Sequence, residues 1–230
     1  MKKRIGVQGS LIFLATVAVI LFYKYLFPPV NQKIIYDYLG IIGIIMVLKG
    51  YFLRIVARGI KASMNPDGKT LVVQGPYAVT RNPMYLGTLL IGLGIILALF
   101  RWWVGAVFLF IYLAIYIPEI NKEEQNLSTR FKEVFSNYCK STPKFFPRIL
   151  FLRSAEQLKY FRFKLSWAKK ELSSMAATFI VMFMILFWQD LRLFGHVRVA
   201  EELFKVIFMV VYILIIIRLH YEKENTPGKS

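Results

Sequence analysis

Residues 84–118, MYLGTLLIGLGIILALFRWWVGAVFLFIYLAIYIP, decide the fold of this chain. Two apolar runs, 84–100 and 102–118, are separated by a single charged residue, Arg101. Each run approaches the roughly 20 residues that an α-helix needs to cross a bilayer core. So short a connection leaves only a tight antiparallel helical hairpin in the membrane. Trp102 and Trp103 sit at the turn, where tryptophans anchor a helix end at the membrane–water boundary. Pro118 ends or kinks the second helix. Residues 119–138 have helical composition and a polar face, so the helix can resume at once.

The rest of the chain supports the same class. Of its 230 residues 57% are hydrophobic, and the mean hydropathy is +0.52, well above the balance of a soluble domain. The fold class read from this is all-α, a multi-pass transmembrane helical bundle. Six spans are predicted, near 10–28, 36–53, 84–100, 102–118, 173–191 and 203–218. The apolar run after MKKRIGVQGS is too long for a signal peptide and has no small-residue cleavage site, so it reads as a retained first helix. Gly40 and Gly43 in the second span read either as positions of close helix approach or as incidental.

Net charge is +17, and the spans sort it by side. Three Lys/Arg precede the first span, five lie in 54–82, twelve in 119–172 and three from 218 onward. The alternate connections hold only Lys33, Arg101, Arg192, Arg198 and Lys205. This is the positive-inside pattern, and it predicts that both termini are cytoplasmic. The basic excess is therefore topological, drawn to anionic headgroups, and does not imply nucleic acid. Residues 150–170 mix aromatic and aliphatic residues with basic ones, which reads as an amphipathic helix on the membrane surface or, more plainly, as a soluble linker helix. The single cysteine, Cys139, excludes an internal disulfide and a Cys-rich metal site. No metal is expected.

Candidate chemistry lies at the ends of the hairpin. Before it runs KTLVVQGPYAVTRNPMYLG, residues 69–87, a polar loop punctuated by Gly75-Pro76 that carries Arg81, Asn82 and Tyr85 to the membrane threshold. Polar backbone at that depth needs burial in protein or a cavity to line, and an ionisable residue there points to function. After the hairpin come Glu119, Glu123 and Glu124. A two-helix hairpin returns the chain to the face it left, so the two clusters can meet. Carboxylates, an Arg, an amide and phenols around one recess suit a zwitterionic ligand. Each has a plainer reading too: Arg81 as a membrane-edge marker, Tyr77 and Tyr85 as interface anchors, the glutamates as solvated helix residues.

The stretch GPYAVTRNPMYLG, followed after the hairpin by EEQNLSTRFKEVFSNY and a P-x-x-x-P segment, resembles the isoprenylcysteine carboxyl methyltransferase and phospholipid methyltransferase superfamily. Its pattern G-x-Y-x-x-x-R-(H/N)-P-x-Y-x-G, a hairpin, then E-E-x-x-L-x-x-x-F and a Tyr seven residues on is met by Glu123, Glu124, Leu127, Phe131 and Tyr138. The resemblance covers about 62–148. It divides the chain into a two-span region (1–58), a methyltransferase-like core (59–148) and an addition (149–230) holding the basic surface helix, two more spans and a tail.

The resemblance implies an S-adenosylmethionine-dependent methyltransferase with its active site facing the cytoplasm of a cell membrane. Position by position, cofactor contacts fall on Ala62, Lys69, Thr70, Leu71, Val72, Tyr77, Arg81, Asn82, Pro83, Met84, Tyr85, Glu123 and Glu124. Glu119 stands where prenylcysteine enzymes have an Arg. A carboxylate there would repel a substrate carboxylate, which favours an amine, hydroxyl or thiol acceptor on a lipid or another membrane-resident amphiphile. Glu119 and Arg81 are the catalytic candidates. Glu119 would recognise the acceptor or take its proton, or else simply cap the helix in solvent. Asn82, replacing the usual His, cannot act as a base near neutral pH. The alternatives are an NADPH-dependent enzyme of the sterol-reductase type and a non-enzymatic scaffold or transporter.

Overall fold

A computed structural model describes residues 21–29, 33–146 and 164–194. Among them the chain is helical, with no strand. The helices are α1 (Tyr23–Leu26), α2 (Lys33–Met64), α3 (Pro76–Val79), α4 (Pro83–Leu99), α5 (Trp102–Ser141) and α6 (Leu165–Phe194). Three candidate spans, Ile35–Met64, Trp102–Ser141 and Ser166–Gln189, are long and apolar enough to cross a membrane, and α4 is a shorter apolar helix. The three cover the second, fourth and fifth predicted spans, and α4 covers the third at a shorter length. The first and last, 10–28 and 203–218, lie wholly or mostly outside the described residues, as do the cores of both termini. So does most of the predicted surface helix over 150–170, but residues 165–170 form the first turns of α6. The bundle turns large apolar side chains outward, among them Trp102, Phe110 and Ile115. Such a surface suits hydrocarbon, as a membrane-spanning bundle requires.

The hairpin of α4 and α5 forms as the sequence predicts, with Arg101 at the turn. Arg101 donates its backbone N–H to the Leu26 carbonyl (2.8 Å) and Nε to that of Phe27 (2.9 Å). Phe27 stacks on Phe100. The turn therefore ties down residues 26–27 besides marking a boundary. Pro118 does not end α5. The helix runs through it and breaks instead at Lys132, whose φ of 42° and ψ of −113° are far from helical.

The tightest packing joins α2 to α4, which run antiparallel. Gly43 faces Gly94 and Gly50 faces Gly87, each pair one heptad from the next. A Cβ built on Gly50 would stand 2.6 Å from the Gly87 carbonyl oxygen. Without side chains the two backbones touch, and van der Waals contact is what drives helix association in a membrane. Of the two glycines read as possible approach sites, Gly43 makes the contact. Gly40 does not, since a Cβ built there would stand 3.9 Å from the Ala98 carbonyl oxygen, an ordinary contact. Val47, Tyr51, Ile91, Leu99 and Met182 form the buried cluster beside this seam.

On its other side α2 receives α6. Trp167 lies flat over Gly59. The Tyr51 hydroxyl meets Thr178 Oγ1 at 2.6 Å and donates to the Ser174 carbonyl at 3.0 Å. Met182 is buried one turn beyond. Tyr51→Phe keeps the ring and removes these bonds. It is expected to cost about 0.6–1.5 kcal/mol, read as a lower thermal midpoint in detergent with the helical spectrum unchanged.

Candidate active site

The loop between α2 and α4 is shaped by its own backbone. Asn65 Oδ1 accepts the Thr70 N–H (3.0 Å), closing a turn that contains Gly68 at φ 70°. Gly75, at φ 61° and ψ −130°, caps α3 in a conformation open to glycine alone, and Pro76 follows at the first helical position. Glycine and proline thus bend the loop back under the hairpin, where Pro83 starts α4.

Contacts from α5 and the segment after it hold the loop there. Tyr138 donates its hydroxyl to the Tyr77 carbonyl (2.6 Å). Arg81 N–H bonds the Pro143 carbonyl (2.9 Å), and Thr80 Oγ1 donates to that of Phe145 (2.9 Å). Asn82 Nδ2 donates to the Lys144 carbonyl (2.9 Å) and to Glu124 Oε1 (3.2 Å). Arg81 Nε faces the same carboxylate at 3.5 Å, and its Nη1 meets Cys139. Lys144 Nζ pairs with Glu124 Oε2 at 3.3 Å. Glu124 is therefore the knot that ties loop, helix and the Pro143 segment together.

This scaffold frames a half-open cavity of about 400 Å³, within the range of small-molecule sites, about 300–1,000 Å³. It gathers ten of the residues the resemblance points to: Thr70, Leu71, Val72, Tyr77, Arg81, Asn82, Pro83, Met84, Tyr85 and Glu123. Glu124 is not on its lining, being engaged with Arg81, Asn82 and Lys144 instead. Ala62, Lys69 and Glu119 are exposed and off the lining as well. Arg81 reaches the cavity, but its charge is turned toward Glu124.

Other lining residues were not assigned from sequence. Lys61 and Asn65 join Glu123 on the loop side, with Lys61 Nζ 3.4 Å from Glu123 Oε1. Arg54, Thr88 and Tyr116 line the wall deeper along α2, α4 and α5. Arg54 lies seven residues before Lys61, and Tyr116 seven before Glu123. At 1.5 Å per residue the cavity extends roughly 10 Å along the helices. A charged Arg54 in an apolar helix was the available signal, but in sequence it reads equally well as the end of a span. Tyr85, Tyr112 and Tyr116 form an aromatic wall, with Tyr112 and Tyr116 stacked at 4.3 Å and Tyr112 donating to the Tyr85 carbonyl.

Chemically the cavity offers one carboxylate, cations at both ends, neutral hydroxyls and apolar walls. Burial raises the Tyr77 phenol far above its usual range, Glu123 adds to the rise and Arg58 opposes it. The hydroxyl therefore stays protonated. Among the described residues no cluster of three or more His, Cys, Asp or Glu is placed to hold a metal ion.

Residues 35–134 match the phospholipid methyltransferase family. That stretch takes in α2, the loop, the hairpin and both glutamates, and supports the reading of the core as that of a methyltransferase. Two curated relatives match over 86 residues, 36% of this chain. One is the cobalt-zinc-cadmium resistance protein CzcN of Cupriavidus metallidurans, 37% identical, with 38% of its length covered. The other is the nickel-cobalt-cadmium resistance protein NccN of Alcaligenes xylosoxydans xylosoxydans, 34% identical, with 39% covered. The match thus spans less than two-fifths of either relative. No solved structure matches the chain.

Proposed function

We propose that this chain is an integral membrane methyltransferase that takes its methyl group from S-adenosylmethionine and passes it to a lipid or another membrane-resident amphiphile. The observation that carries the reading is a cavity in which the 70–85 loop meets Glu123 across the hairpin, inside the family-matched stretch. Its donor set fits the cofactor: Glu123 for the amine, Lys61 beside it for the carboxylate, and Leu71, Val72 and Met84 for apolar parts.

The bound cofactor supplies an already activated methyl group as a sulfonium. What remains for the protein is to align donor and acceptor and keep water out, and alignment alone can supply roughly 7–11 kcal/mol. The loop, anchored through Glu124 and Tyr138, provides rigid walls for that alignment. Tyr77 and Tyr116 offer hydroxyls but no base. Glu119 lies outside the lining, and its proposed role is at the approach of the acceptor, where it would favour a cationic or neutral head. The bias of Lys and Arg favours a cytoplasmic mouth, to which a soluble cofactor has access. The relatives' names concern metal resistance; nothing in the cavity's donor set favours a metal, and we propose no metal site.

The test is calorimetric binding of S-adenosylhomocysteine to the full chain in detergent and in lipid nanodiscs. The parent is expected to bind, and Glu123→Ala to weaken binding by about tenfold, the worth of one charge-assisted hydrogen bond. A folded parent that binds in neither medium overturns the reading. Displacement by NADPH in its place would redirect it to reductase chemistry.

A further inference from the structure

Helix α6 lies beyond the family-matched stretch, yet it reaches the cavity wall. Glu171, 1% exposed, accepts two hydrogen bonds from Arg54: Nε to Oε2 at 3.3 Å and Nη2 to Oε1 at 3.2 Å. Arg58 Nη1 stands 2.7 Å from the same Oε1. Arg54 spends its remaining nitrogen, Nη1, on Thr88 Oγ1, and both Arg54 and Thr88 line the cavity. The stem of Arg54 passes over the bare face of Gly87, where a Cβ would stand 2.7 Å from Arg54 Cγ. Arg54 is thus fixed from three sides, and one of them belongs to α6.

The charges matter as much as the geometry. Arg54 in the wall, with Arg58 and Glu171 behind it, makes two guanidiniums and one carboxylate, a single net positive charge at this side of the cavity. Without Glu171 there would be two, and in a cavity of about 400 Å³ no ligand group lies far from them. A bound cation would feel the difference, because Glu171 itself is buried and charge beside a protein wall is screened less than in bulk water.

We propose that Glu171 is a positioning residue by which α6 completes the site: it holds Arg54 in the cavity wall and supplies the counter-charge that lets a sulfonium ligand bind there. The inference rests on the cofactor reading above and goes beyond it, since it gives the added helix a part in cofactor selectivity. It also explains why a carboxylate is buried against a lipid-facing bundle, where an unpaired charge is costly.

The test compares two ligands that differ by one charge at sulfur. S-adenosylmethionine, a sulfonium, and S-adenosylhomocysteine, a neutral thioether, are titrated into the same nanodisc preparations of the full chain. At an effective dielectric of about 20, a unit charge acting across roughly 10 Å, the length of the cavity, changes an equilibrium by at least about tenfold. Glu171→Gln is therefore expected to weaken the sulfonium relative to the thioether by about tenfold. Arg58→Gln, at a position 31% exposed, is expected to shift the ratio the other way, and Glu171→Gln with Arg58→Gln to bring it back toward the parent.

A purely packing role would change both affinities alike and leave the ratio unmoved, which would overturn the inference while leaving the cofactor reading intact. If Glu171→Gln does not fold, the shift with Arg58→Gln decides alone: a moved ratio supports the inference and an unmoved one overturns it. A parent that binds neither ligand overturns the cofactor reading and this inference with it.

Discussion

Gly50→Val protein in detergent is expected to be less stable than the parent by about 3 kcal/mol, at the upper end of what overpacking usually costs. At this position a Cβ would stand 2.6 Å from the Gly87 carbonyl oxygen, 2.8 Å from Ile91 Cγ1 and 3.0 Å from the Ile91 nitrogen. Two of those three atoms are backbone, so no rotamer change can make room, and α2 and α4 must move apart. Separation loses the contacts of the whole seam, including those around Gly43 and Gly94. It also shifts Arg54 and Met84, which stand on opposite helices of the cavity. Loss of ligand binding should accompany the loss of stability. Gly40→Ala provides the control on the same helix. A Cβ there would meet nothing nearer than the Ala98 carbonyl oxygen at 3.9 Å, and replacing a mid-helix glycine by alanine should gain up to about 1 kcal/mol. Equal thermal midpoints for the two variants would show that the glycine seam does not hold the bundle.

The second large effect is expected at Glu124. Glu124→Ala removes the partner of Arg81, Asn82 and Lys144 at once. Arg81 and Glu124 are only 14% and 16% exposed at their side chains, and removing one member of a buried pair costs about 3–5 kcal/mol. Lys144 is better exposed and can turn to solvent, so the lower end, about 3 kcal/mol, is expected. The loss should be local in its consequences, because these contacts tie Arg81, Asn82 and Lys144 to α5. Thermal unfolding and protease cleavage within the 65–82 loop would read it. Glu123→Ala, five-twelfths or so exposed and on the lining, should lower ligand affinity with little loss of stability. Glu119→Ala should leave stability unchanged. Glu124→Ala protein as stable as Glu119→Ala would refute the knot.

Adjacent glutamates thus have opposite employments. In sequence, Glu123 and Glu124 are one acidic pair at the end of a hairpin, and both read as ligand contacts. A helix turns about 100° between neighbours, so one faces the cavity and the other faces Arg81 and Asn82. Which is which depends on how α5 is rotated against α4, and that rotation is set by packing between the helices. The same applies to Arg81. Its place at the membrane threshold was legible, but the direction of its guanidinium was not.

The core glycines were half legible. Gly43 stood out as a small residue in an apolar span, and Gly50, Gly87 and Gly94 carried the same signal unread. Their pairing needs the register between two helices, which no local pattern specifies. Arg54 and Arg58 fall just past the predicted 36–53 span, where basic residues satisfy the positive-inside pattern and call for no further role. Their partner, Glu171, is 117 residues from Arg54, in a helix that continues seamlessly from a basic segment into an apolar one.

The sequence by itself determined that the chain is helical with runs long and apolar enough to cross a membrane, that a tight hairpin separates two polar clusters, and that both clusters fall in a stretch similar to the phospholipid methyltransferase family. Insertion of a helix depends on its own run of apolar residues, and a loop's shape on its own glycines and prolines, so local composition suffices. Only the tertiary structure decided which charges meet: Glu123 with Lys61 at the cavity, Glu124 with Arg81 away from it, and Glu171 with Arg54 across the bundle. Ion pairs between helices depend on depth and rotation together, and those come from the packing of backbone against backbone along α2.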